Sequence, residues 1–174
     1  KNHYKMKNNA SKTKLYLWEN RTLFIGQHEK PIVVSTGAAT FALSLNEPIR
    51  FRTNEMNKPK ICRSLLLGAG TSVVLNFGKA NVLNFTLDPT GRDFSRLSQH
   101  MRQQVSSAMY SVDSEEVLIN KARTIVNSGL DNADLFTVLM KLLSPESGAS
   151  ANDNEQTNYK LDPRAKKVID VIQD

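Results

Sequence analysis

Between Leu15 and Leu87 the apolar residues arrive in short runs, each closed by a turn former, and no run is long enough for a buried helix. The runs are Leu15–Trp18, Thr22–Ile25, Ile32–Ser35, Thr40–Leu45, Ile49–Phe51, Cys62–Leu67, Ser72–Phe77 and Val82–Leu87. Gly26, Gly37, Asn46-Glu-Pro48, Asn57-Lys-Pro59, Gly68-Ala-Gly70, Gly78-Lys-Ala-Asn81 and Asp88-Pro89 punctuate them. Closely spaced strands rich in Val, Ile, Phe and Thr, separated by such turns, predict an antiparallel sandwich or barrel. The alternation in Arg50-Phe51-Arg52 and Asn76-Phe77 suits strands with one wet face.

From Arg92 the period changes. Phe94, Leu97, Met101, Val105 and Met109 recur at helical spacing behind Asp93 or Ser95 as N-cap. A second helix is expected after Asp113, with Glu115 and Glu116 in its first turn and Gly129 just past its end. A third opens at Asp131 or Asn132, runs through Leu143 and is stopped by Pro145. The fold class is therefore α+β: a β-barrel or sandwich over 15–91, then a small bundle of helices over 92–145. Residues 146–160 are small, polar and poor in apolar side chains, the composition of a linker. Asp162 and Pro163 then start a helix whose stripe, Val168, Ile169 and Ile172, has no partner in the chain that follows. The expectation is a domain cut off as it begins, over 161–174.

The net charge of +6 resembles a nucleic-acid footprint until its distribution is read. Of 23 basic residues, five lysines lie in the first 14 positions, leaving 18 against 17 acidic residues in the body. Residues 1–14 read as a flexible basic tail rather than a secretory signal. No apolar run approaches the length of a membrane span. Cys62 is the only cysteine, so no internal disulfide is possible and a reducing cytoplasm is the expected setting.

Asp162-Pro-Arg164 followed by Val168-Ile-Asp-Val-Ile172 resembles the first helix of the AraC/XylS DNA-binding domain. The upstream region is similar to the cupin-like sensor domain found in a subgroup of that family. Leu23-Phe-Ile-Gly-Gln-His28 corresponds to its opening strand and histidine, Ser64-Leu-Leu-Leu67 to the strand before its turn, and Val82-Leu-Asn-Phe-Thr-Leu-Asp-Pro89 to its closing strand. The resemblance covers nearly the whole chain, although each short motif alone is weak. It implies a cupin-like barrel that binds a small-molecule effector, dimerisation helices over 92–145, and contact with DNA through the C-terminal domain. Leu118, Lys121, Ala122 and Ile125 are the expected seam of a homodimer, although burial against the barrel explains the same stripe equally well.

The sequence departs from relatives that carry further histidines around the barrel. His3, His28 and His100 are scattered over a tail, a strand end and a helix, so neither a metal site nor a cofactor is expected. His28 and Glu29 are adjacent and would point to opposite faces of a strand, which argues against an acid–base pair. No serine sits in a nucleophile elbow, and no catalytic residue is assigned. For the effector the candidates are His28, Arg50, Arg63, and the pair Arg92 and Arg96, whose i and i+4 spacing suits either a phosphate grip or an ordinary solvated helix face with Asp93 as partner. An arginine turned into the barrel would make an anionic effector attractive, because a buried charge needs a partner. The rival readings are a cupin-fold enzyme, such as an isomerase or dioxygenase, and a module that only dimerises.

Overall fold

The structure, a computed structural model, describes residues 13–88 and 92–143. The basic tail through residue 12, the linker and the Asp162-Pro-Arg164 segment lie outside the described residues. Strands are β1 (Lys14–Trp18), β2 (Arg21–Gln27), β3 (Ile32–Ser35), β4 (Thr40–Ser44), β5 (Ile49–Thr53), β6 (Lys60–Cys62), β7 (Ser64–Leu67), β8 (Ser72–Asn76), β9 (Asn81–Thr86), β10 (Met101–Val105) and β11 (Ala108–Val112). Helices are α1 (Asp93–Ser98), α2 (Glu115–Asn127) and α3 (Asn132–Leu143). The described chain is thus mostly antiparallel sheet with a few helices. None of these helices is long and apolar enough to cross a membrane.

The strands form a seven-stranded sheet in the order β1-β2-β9-β4-β7-β11-β10 and a four-stranded sheet in the order β3-β8-β5-β6. Within them, β2-β9-β4-β7 faces β3-β8-β5-β6. The chain passes from one sheet to the other and back, which is the arrangement of an eight-stranded jelly roll. β1 widens the larger sheet on one edge, and the β10–β11 hairpin widens it on the other.

Two cores follow from this layering. Between the sheets lie Ala42, Ile49, Phe51, Leu65, Leu67, Val73, Leu75, Phe77 and Val82. On the outer face of the larger sheet, Leu23, Ile25, Phe41, Leu43, Leu66, Leu83 and Phe85 pack against Leu97 of α1, Ile119 and Ala122 of α2, and Leu135 and Leu139 of α3. A strand between two apolar layers reads as a continuous apolar run, which explains Ser64–Leu67 and Phe41–Leu43. The smaller sheet has only one covered face. Ile49, Phe51 and Thr53 point inward while Arg50 and Arg52 stay in water, as the alternation predicts.

The long helix expected from Phe94 to Met109 is not formed. Only Asp93–Ser98 is helical, and residues 101–112 make a hairpin that extends the barrel sheet beyond residue 91. Ala108, Tyr110 and Val112 alternate inward with period two and fill the sheet edge. Met101, Val105 and Met109 meet both periods, so tertiary pairing decides between them. The two-residue loop is Ser106-Ser107, with φ of 54° at Ser106 and no positive φ at Ser107. A positive φ at the first loop position alone is the sign pattern of a type II′ turn, normally marked by glycine.

The other helices form as expected, although the N-cap of α2 is Ser114, held at φ 52° with no side-chain capping bond. Gly129 has φ of 68° just beyond the end of α2. Asp131 Oδ1 accepts the Asp134 N–H at 2.9 Å and caps α3. β1 reaches α3 through Trp18, which stacks with Tyr16, meets Phe136 at 5.1 Å between centroids, and donates its indole N–H to the Asn132 carbonyl.

A charged clasp ties the barrel to the helices. Arg21 of β2 donates through Nε to Asp93 Oδ2 at 3.1 Å, and its Nη2 donates to the same oxygen. Asp88 Oδ2 lies 3.7 Å from Arg21 Nη1, and the guanidinium covers the Phe136 ring at 5.8 Å. The Arg21 and Asp93 side chains are 14% and 10% exposed, so solvent screens the pair weakly. Removing Asp93 takes away both hydrogen bonds of the buried Arg21 guanidinium and leaves it the longer contact to Asp88. Asp93→Ala is expected to cost about 3 kcal/mol in urea unfolding. Ser106→Gly, which removes the left-handed strain, is expected to gain about 0.5–1 kcal/mol by the same measurement.

Candidate functional site

The two sheets do not fill the space between them. A cavity of about 440 Å³ remains, floored by the larger sheet and roofed by β3, β8 and the β3–β4 turn. The cause lies in side-chain size. Ala42 stands at the centre of the floor, and Gly37 and Ala38 form the turn above it, where larger residues would close the space. Phe24, Ile32, Val34, Leu67, Leu75 and Phe77 make the walls apolar.

Few polar groups face this space, and most are already satisfied. Thr36 Oγ1 donates to the Gly68 carbonyl at 2.9 Å, and Thr40 Oγ1 donates to the Ala38 carbonyl at 3.3 Å. The hydroxyls of Thr86 and Thr22 share a hydrogen bond at 2.8 Å. Asn84 differs. It stands on β9 directly between Phe24 of β2 and Ala42 of β4, and its side-chain amide has no hydrogen-bond partner among the described residues. One donor pair and one acceptor therefore face an apolar cavity unengaged. His28 lies exposed at the rim, its ring 6.1 Å from those of Phe24 and Phe77. A cavity lined by apolar side chains with a few convergent polar groups has the make-up of a small-molecule site.

Of the five sequence candidates, only His28 lines the cavity. Arg50 points outward from the smaller sheet because its neighbours Ile49 and Phe51 take the inner positions. Arg63 turns to α2, where Nη1 lies 2.5 Å from Glu116 Oε2. Arg92 and Arg96 are exposed on α1, which packs on the far side of the larger sheet. The lining holds no lysine or arginine, so the arginine-based case for an anionic ligand in the barrel falls away. Asn84 was missed. It sits in Val82-Leu-Asn-Phe-Thr-Leu87, where an amide inside an otherwise apolar, β-forming strand is the signal that points to it.

The proposed seam also needs correction. Ala122 is fully buried against the larger sheet and α3, and Leu118 and Ile125 pack partly on the same core. Lys121 is the one member that faces solvent. The stripe is apolar because it covers the barrel. Among the described residues, no three His, Cys, Asp or Glu side chains converge as metal ligands would.

Cys62 is buried between the sheets, where desolvation and the nearby Glu115 charge push its thiol up from 9.0 to about 12. Ser64, beside it in the chain, donates to Glu115 and accepts the Val112 N–H at 2.8 Å, fixing the corner between β11 and α2.

No family model and no curated protein matches the sequence. Among solved structures, the chain is similar to ToxT, an AraC-family regulator from Vibrio cholerae, at 8% identity and a TM-score of 0.46 over 71% of this chain and 52% of that one. An RmlC-like cupin with a double-stranded β-helix fold from Methanocaldococcus jannaschii matches at 7% identity and a TM-score of 0.35, over 51% of this chain and 93% of its own. A Salmonella typhimurium protein provisionally described as ethanolamine utilization protein Q matches at 9% identity and a TM-score of 0.35, over 42% and 61%. The chain thus spans about three fifths of the Salmonella protein and half of ToxT. At these values the likenesses assign neither a family nor an activity.

The Cys62 thiol is expected to resist alkylation at pH 8 while the protein is folded and to react at once in denaturant. Because the folded protein holds this proton to about 12 and the unfolded chain loses it near 9.0, stability should fall as the pH rises through that window.

Proposed function

We propose that this chain is the effector-sensing part of an AraC-type transcription regulator, with the effector bound in the barrel cavity. The observation that supports it best is the unengaged Asn84 amide in a cavity of about 440 Å³ with otherwise apolar walls. That site suits a largely apolar small molecule with one polar end, a carbonyl, amide or hydroxyl placed against Asn84. Burial of the apolar part supplies affinity, and the amide supplies orientation. The switch is a change in population: the ligand favours the arrangement of barrel and helices that it binds better. The resemblance of Asp162-Pro-Arg164 to the opening of an AraC-type DNA-binding domain supports the regulatory half of the reading.

DNA contact and homodimerisation belong to the same proposal. DNA would be read by residues from 161 onward together with the sequence that follows them. Any pairing surface on α2 has to avoid Ala122, which is already buried. The genomic reading frame past Asp174 should continue through two helix-turn-helix patterns; an immediate stop codon would sink the regulator reading. Mass measured at several concentrations should show a dimer, and a monomer throughout would remove that part.

For the cavity, Ala42→Leu fills the floor with little change at the surface. A panel of apolar metabolites with one polar end should include a compound that raises the Tm of the unaltered chain with concentration. Ala42→Leu should abolish that shift, and Asn84→Leu should weaken binding by roughly tenfold. A shift that survives Ala42→Leu unchanged places the ligand elsewhere.

A further inference from the structure

Outside the barrel cavity, a cleft of about 280 Å³ opens between the barrel end and the C-terminal half of α2. Its most unusual occupant is Arg123. Nε donates to the Leu45 carbonyl at 2.5 Å, and Nη1 donates to Asn120 Oδ1 at 2.9 Å. Both acceptors are neutral. None of the ion pairs among the described residues includes Arg123, although it is half-buried. Its Nη2 makes no hydrogen bond to the described residues, so three of its five N–H groups remain uncommitted there beside an uncompensated charge.

The barrel end supplies an amide to the same lining. Asn81, the first residue of β9, also lines the cleft; its Oδ1 is buried without a partner, and its Nδ2 donates to none of the described residues. The Asn81 backbone is fixed, because its N–H donates to Asn46 Oδ1 at 2.7 Å. Asn46 and Gln27 both donate side-chain N–H groups to the Lys79 carbonyl at 3.3 Å, which orders the wall around it. A partly desolvated cation without a counter-charge is unfavourable until an anion arrives, and the uncommitted Asn81 amide N–H groups in the same lining add donors for one.

We propose that this cleft binds a small oxyanion, the carboxylate or phosphate group of a metabolite, held by Arg123 and Asn81. The planar guanidinium fork and the amide N–H provide donors from two elements, so the bound anion fastens α2 to the barrel end. The site is separate from the barrel cavity and does not depend on the ligand proposed for it.

The test is a titration of the full chain with sodium phosphate and, separately, with sodium L-malate, followed by Tm and by side-chain amide NMR shifts. Sodium chloride at matched ionic strength is the control. Saturable binding of either anion, with shifts centred on the Asn81 amide, is expected. Phosphate binding without malate assigns a phosphate ligand, and the reverse assigns a carboxylate. Arg123→Gln should weaken binding roughly tenfold or more, Arg123→Lys should retain part of it, and Asn84→Leu in the barrel should leave it unchanged. Should Arg123→Gln fail to fold, Asn81→Ala, which leaves the α2 contacts in place, should weaken binding severalfold. An effect equalled by chloride, or an affinity indifferent to both Arg123 and Asn81, overturns the proposal.

Discussion

The larger sheet is the shared wall of two compartments, and the rest of the molecule depends on that. One face of β4, β7 and β9 closes the space between the sheets, and the other face receives the three helices. On β4 and β9 the large side chains, Phe41, Leu43, Leu83 and Phe85, project to the helix side, where each contributes roughly 2–3 kcal/mol by burial. The opposite face of the same strands carries Ala42, Val82 and Asn84. The cavity exists because bulk was placed on one side of the wall and withheld from the other.

That division also explains how the helices can matter to a barrel ligand. Asn84 contacts the cavity, while Leu83 and Phe85, its neighbours in the chain, belong to the helix-side core. Arg21 and Asp93 hold the β2 end of the wall to the start of α1, and Phe136 places α3 over the same guanidinium. Trp18 adds an aromatic contact from the neighbouring edge strand. Barrel and helices are joined through side chains that leave little room for independent movement.

Much of this was legible in the sequence. Short apolar runs and their turns located β1 to β5 and β7 to β9, though not the short β6, and the acids after Asp113, Gly129 and Asp131 located α2 and α3. The hairpin was not legible, because Phe94, Leu97, Met101, Val105 and Met109 satisfy a helical period and Ser106-Ser107 lacks the glycine that announces a tight turn. The site was read by charge, which pointed to Arg50, Arg63, Arg92 and Arg96. Strand parity sends Arg50 outward, Glu116 draws Arg63 to α2, and the α1 pair stays in water. Asn84 and Arg123 are single residues within ordinary-looking elements, and only the packing of neighbours shows that the amide is unengaged and the guanidinium has no counter-charge.

The doubly covered wall has a consequence for solvent exchange. Each backbone N–H of β4 lies between β9 and β7 along the sheet, with the helices packed on one face and the second sheet over the cavity on the other. No local fraying of an edge strand or a loop uncovers such a group. Its deuterium uptake therefore reports opening of the whole domain, while β1 and the β10–β11 hairpin exchange through smaller, local openings.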